Sequence, residues 1–129
     1  MICGAAPDGR FAGAVHFMYN KDDEEMSDMA PLANTAACMM IRRHLFDEAG
    51  GFNPEYMECF EDLELNLRCV LGGKTNICLA SCTELHDESM TRDPHPKKED
   101  IKRIADFWNA NIVGFMKASS PSCKFIARA

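Results

Sequence analysis

The first thing this sequence is short of is clustered positive charge. Its 129 residues carry 14 Lys and Arg against 20 Asp and Glu, a net charge of -6. Basic residues pair only briefly, as at Arg42-Arg43 and Lys97-Lys98. A phosphate backbone has to be met by clustered Lys and Arg, so this balance excludes a nucleic-acid partner. No apolar run approaches the roughly 18 residues needed to cross a bilayer, and the N-terminus lacks the basic and apolar regions of a leader peptide. A soluble, cytoplasmic chain without a membrane span is the expectation. The seven cysteines are an odd number with no CxxC among them, which fits reduced thiols in a cytosolic compartment.

Nucleotide and hydrolase signatures are missing too. There is no GxGxxG and no serine elbow. Gly72-Gly73-Lys74-Thr75 imitates the end of a P-loop, but the first glycine of that motif would fall on Arg68, and the residues that follow read as a strand where a helix is required. Cys78, Cys82 and His86 are spaced by four and four, and on a continuous strand they would share one face. A small zinc-binding interaction domain on those three is one reading, although structural zinc normally takes four ligands.

What the sequence does contain is a single core. Hydrophobic residues make up 47% and charged residues 26%, enough for one domain over residues 1–129 and not for two. A turn at Pro7-Asp8-Gly9 between short apolar segments predicts a hairpin. The acidic run at residues 21–28 reads as a solvated loop, and its DDEE is not a DxD. Small and apolar residues at 32–41 predict a buried strand, residues 42–49 a short helix, and Gly50-Gly51 its stop. Phe60, Leu63, Leu67, Val70 and Leu71 share one face of a second helix, with Leu65 off the stripe. Residues 75–82 read as a strand buried on both faces. Ile101, Ile104, Ala105, Trp108, Ile112 and Phe115 predict a long helix at residues 97–118, and residues 119–129 a frayed tail. Strands alternating with helices imply an α/β layer architecture.

The chemistry concentrates in residues 36–92, which hold GGFNPEYMECFEDLELNLR, a short strand, and then HDESMTR. This series resembles the acceptor-side half of an inverting family-2 glycosyltransferase of the GT-A fold, rhamnosyltransferase-like, in which GGFDE, EDxDLxxR and HxExxSR follow one another. Asn53 and Glu64 stand where Asp is more usual. The resemblance implies an incomplete α/β sheet with packed helices, and transfer of a sugar from a nucleotide-sugar donor to a carbohydrate acceptor in polysaccharide assembly. That work would be cytoplasmic, extending to the cytoplasmic face of the inner membrane. Asp62 matches the family's general base, with Glu61 orienting the acceptor. Asn34, Thr35 and Ala36, together with Gly51 and Phe52, fall where the sugar pocket is built, and Arg92 could meet a phosphate. His86 would be a ligand to a divalent metal, for which neutral imidazole favours Mn over Mg.

Each of these residues has a plainer reading. Glu61, Asp62 and Glu64 complement a helix N-terminus whatever their chemistry. The glycine pair ends a helix, and His86 can simply follow a strand. By the resemblance, the donor-binding strands and the DxD that the metal requires precede the part of the domain seen here. The chain alone is therefore expected to be inactive, and to pair with a second copy through an open sheet edge. A non-catalytic GT-A remnant serving as a binding or assembly module is the rival reading.

Overall fold

The computed structural model describes residues 2–5, 8–15, 27–82 and 95–118. Strands β1 (Ile2–Ala5) and β2 (Phe11–Val15) form an antiparallel hairpin, in register from Ile2 opposite Val15 to Gly4 opposite Gly13, with an irregularity at Gly4/Ala5. Of the expected Pro7-Asp8-Gly9 turn, Asp8 and Gly9 lie between them, and Pro7 is outside the described residues. Asp8 Oδ1 accepts the Arg10 amide at 3.1 Å, and Gly9 takes φ 84°, a left-handed backbone that only glycine adopts at little cost.

Among the described residues three α-helices follow: α1 (Arg43–Glu48), α2 (Glu61–Leu71) and α3 (Lys98–Ala118). The core lies where α2 and α3 meet. Leu63, Leu67 and Val70 from α2 and Ile104, Trp108 and Phe115 from α3 enclose Leu32, Ala33 and Tyr56, and each fully buried side chain of this size contributes about 1.5–3 kcal/mol. Trp108 stacks on Phe115 at 4.9 Å between centroids and donates its indole N–H to the Gly9 carbonyl at 3.1 Å. The Phe11 amide donates to Asn109 Oδ1 at 3.2 Å. The hairpin is thus anchored to the middle of α3. At Gly114 a Cβ would lie 2.6 Å from Leu71 Cδ2, so α2 and α3 pack closely where that side chain is missing.

Several expectations are revised. Helix α2 is buried well beyond one stripe, since Glu64, Leu65 and Asn66 are buried along with Leu63 and Leu67. Ile101 is only partly covered, at 41% exposed, as is Leu71 at the end of α2, at 37%. Residues 32–41 form no strand: Leu32 and Ala33 enter the core, Ala36–Cys38 make a single 3-10 turn, and Met39 is extended with Met40 fully exposed. At residues 75–82 the pairing shrinks to one antiparallel bridge, with Met29 N to Cys78 O at 3.0 Å and Cys78 N to Met29 O at 2.8 Å. Ile77 and Leu79 are about half exposed, so one face of this segment is open. Extended chain becomes a ladder only where a neighbour supplies the alternate donors and acceptors, and among the described residues no such neighbour lies beside residues 39–41. The acidic run before Ser27 and the tail from Ser119 lie outside the described residues.

Candidate functional site

The first turn of α2 carries the acidic pair. Phe60, immediately before it, has φ 74° and ψ 1°, the one described non-glycine residue with positive φ. A left-handed aromatic residue costs energy and persists where the surrounding structure dictates it, which is common at functional sites. From this turn the Asp62 carboxylate reaches across to the 34–36 segment. Its Oδ2 accepts the Ala36 amide at 2.9 Å, and its Oδ1 accepts the Leu63 amide at 2.7 Å. Thr35 Oγ1 accepts the Ala37 amide at 3.4 Å and caps the 3-10 turn.

Asn66, one helical turn after Asp62, completes the junction. Its Oδ1 accepts the Asn34 amide at 3.2 Å, while its Nδ2 donates to Asn34 O at 3.1 Å and to Asp62 O at 2.7 Å. Asn34 in turn donates from Nδ2 to Ile77 O at 3.1 Å. Asn34, Ala36, Asp62 and Asn66 are therefore joined by hydrogen bonds, while Thr35 caps the adjoining 3-10 turn. Asn66 carries no signal from the resemblance. Its mark in the sequence is a polar residue four positions beyond Asp62, between Leu65 and Leu67.

Gly51 and Phe52 belong to a different face. Two residues along a helix turn the side chain by about 200°, so Glu64 and Arg68 project roughly opposite Asp62 and Asn66. Arg68 pairs with Glu64 at 2.8 Å, donates to Gly51 O at 2.6 Å, and also donates to Ala49 O. It thereby grips the turn in which Gly50 and Gly51 end α1. Phe52 packs its ring edge-on against Phe46 at 5.5 Å. Gly50, Phe52, Asn53, Pro54, Glu64 and Arg68 line a shallow, open depression whose lining includes neither Asp62 nor the 34–36 segment. The candidate residues thus form two sites, with α2 between them.

A third group anchors the loop before α2. The fully buried Asp100 accepts the amides of Met57 at 3.2 Å, Glu58 at 3.1 Å and Cys59 at 3.4 Å, and pairs with Arg103 at 3.3 Å. Burial pushes this carboxyl up, but the three amides and Arg103 outweigh it and hold it below the usual range. Arg103 also lies 5.3 Å over the Tyr56 ring. Burial, followed by the Glu64 charge, pushes the Tyr56 phenol far above its ordinary value, so it stays protonated. Burial likewise raises the Cys69 thiol against the pull of Arg68, which leaves it a packing group and no nucleophile.

His86 and Arg92 lie outside the described residues. Among the described residues no group of three His, Cys, Asp or Glu is placed to hold a metal ion. The shared face expected of Cys78 and Cys82 is lost, because the Cys82 amide turns back to Leu79 O at 3.2 Å and ends the extended segment. Among the described residues no helix is long and apolar enough to cross a membrane.

Comparison with known proteins gives a partial match. No protein-family model matches the chain, and no solved structure does. A stretch of 77 residues, 60% of this chain, is 35% identical to the O-antigen biosynthesis protein RfbC of Myxococcus xanthus, of which it covers 6%. A stretch of 79 residues, 58% of this chain, is 34% identical to the uncharacterized protein y4gI of Sinorhizobium fredii, of which it covers 9%. The chain thus spans less than a tenth of either relative.

Proposed function

We propose that this chain is the acceptor-side part of an inverting GT-A glycosyltransferase of family 2 acting in polysaccharide biosynthesis, with Asp62 as its general base. The observation that carries the proposal is the Asp62 carboxylate, fixed between Ala36 and the first turn of α2 behind a left-handed Phe60. The likeness to an O-antigen biosynthesis protein supports the same reading.

A carboxylate offers about four lone-pair positions, and two are taken by the Ala36 and Leu63 amides. The remaining positions can accept an acceptor hydroxyl, and the two amide bonds fix the rotamer so that no reorganisation is needed during reaction. As the hydroxyl oxygen forms its bond to the anomeric carbon, its proton becomes acidic and passes to Asp62. The nucleoside diphosphate departs on the opposite side with the electron pair of the broken C–O bond, and the configuration inverts. A divalent metal would neutralise charge on that leaving group. Its proposed ligand His86 lies outside the described residues, so the steps given rest on Asp62 and its supports. Glu61 beside it would orient the acceptor. Small backbone at Asn34–Ala36 lets a sugar approach closely, and the half-exposed Ile77 and Leu79 suit a sheet that continues with further strands.

The rival reading, a non-catalytic binding or assembly module, draws on the same bonds, because a carboxylate tied to two amides is also a structural staple. One substitution separates the two. In the polypeptide encoded by the complete reading frame containing these residues, Asp62→Asn should cut sugar transfer at least about a hundredfold, in line with loss of a general base, and leave the circular dichroism unchanged. Transfer retained at near wild-type rate would sink the base assignment.

A further inference from the structure

Asp100 has no exposed surface, the most deeply buried charged side chain among the described residues, and it sits 38 positions beyond Asp62 on another helix. A buried carboxylate is tolerated where its lone pairs are filled, and here the filling groups are the consecutive amides of residues 57–59. Three successive N–H groups aimed at one anion curl the backbone into a nest. The chain leaves that nest at Phe60 and enters α2 one residue later. The reversal falls on Phe60, which accounts for its left-handed conformation, and Glu61 and Asp62 follow at once. Flanking pairs from the same end of α3 hold the loop: Lys97 to Glu58 at 2.9 Å and Arg103 to Glu55 at 3.3 Å.

We propose that Asp100 is a positioning residue for the Glu61-Asp62 turn. By holding the amides of Met57, Glu58 and Cys59 it fixes where α2 begins, and so where the Asp62 carboxylate meets the Ala36 amide. The consequence for sugar transfer rests on the function proposed above, whereas the structural coupling does not. Asp100 touches no residue of the Asp62 junction, and its effect travels through the loop backbone and Phe60.

The test is amide hydrogen exchange in the 129-residue chain, read residue by residue by NMR, with Asp100→Asn against wild type. The expected pattern is acceleration of about tenfold or more at Met57, Glu58 and Cys59, with several-fold acceleration at Ala36 and Leu63 and none at Gly50 and Gly51. Unchanged exchange at Ala36 and Leu63, or a uniform acceleration of all amides, would overturn the proposal. If Asp100→Asn does not fold, Arg103→Gln, which leaves the carboxylate in place and removes its cation, should give the same pattern at lower amplitude, and its absence would be equally decisive. In the complete polypeptide Asp100→Asn should lower kcat about tenfold with the donor KM unchanged, as misplacement of a catalytic group does. An inactive wild type would sink the transferase reading and leave the exchange pattern to decide positioning. An active wild type whose kcat ignores Asp100→Asn would overturn positioning and spare the transferase.

Discussion

Replacing Arg68 with Met tests a side chain that joins α2 to the turn after α1. The guanidinium pairs with Glu64 at 2.8 Å and also donates to Ala49 O and Gly51 O, with the two side chains only 22% and 7% exposed. Screening is weak at that burial, so the pair does not behave as a surface salt bridge worth about 0–1 kcal/mol. Arg68→Met strands the Glu64 charge and leaves two carbonyls without their donor, and breaking a buried pair from one side costs about 3–5 kcal/mol. A domain of this size holds about 5–15 kcal/mol in all. At a urea slope of about 2 kcal/mol/M the unfolding midpoint should fall by about 1.5–2.5 M. The assay is built in, because Trp108 is the only tryptophan and is fully buried, so its emission reports unfolding. Arg68→Lys, a point charge in place of a fork, should keep the pairing with Glu64 and lose one of the two carbonyl bonds, for an intermediate loss. The Glu64→Leu, Arg68→Met double variant should recover part of the loss, since no buried charge is then stranded. A midpoint drop below about 0.5 M for Arg68→Met would refute the reasoning and place the pair among ordinary surface contacts.

Two further outcomes follow from the same geometry. Asp100 is held below the usual carboxyl range in the folded state, so its stabilisation is fully present above the unfolded value of about 3.9 and is lost as pH falls through the lower folded value. The urea midpoint of wild type should therefore drop below about pH 4 more steeply than that of Asp100→Asn, and parallel curves would remove Asp100 as the cause. Gly9→Ala should destabilise by about 1–2 kcal/mol from its left-handed backbone alone, with a further contribution because the new Cβ would sit 2.9 Å from Ile112 Cδ1. An unchanged thermal midpoint would mean that the hairpin turn is not fixed against α3.

The sequence by itself determined the local elements. The Asp8-Gly9 turn, the apolar spacing of α2 and α3, and the glycine pair after α1 are short-range signals, and each appears where its residues require it. It also placed the acidic pair at a helix start. Tertiary structure alone decided the rest, because those contacts join residues far apart in the chain. Asn66 acquires its role only where the 34–36 segment crosses it. Asp100 reads as an N-terminal helix acid until three amides from residues 57–59 converge on it. Gly51 and Phe52 read as neighbours of the base until the roughly 200° between Asp62 and Glu64 on α2 sends them to the opposite face. Residues 32–41 and 75–82 read as strands because extended, apolar sequence fits a sheet, but a strand exists only when another chain segment completes its hydrogen bonds. Among the described residues that completion amounts to the bridge between Met29 and Cys78.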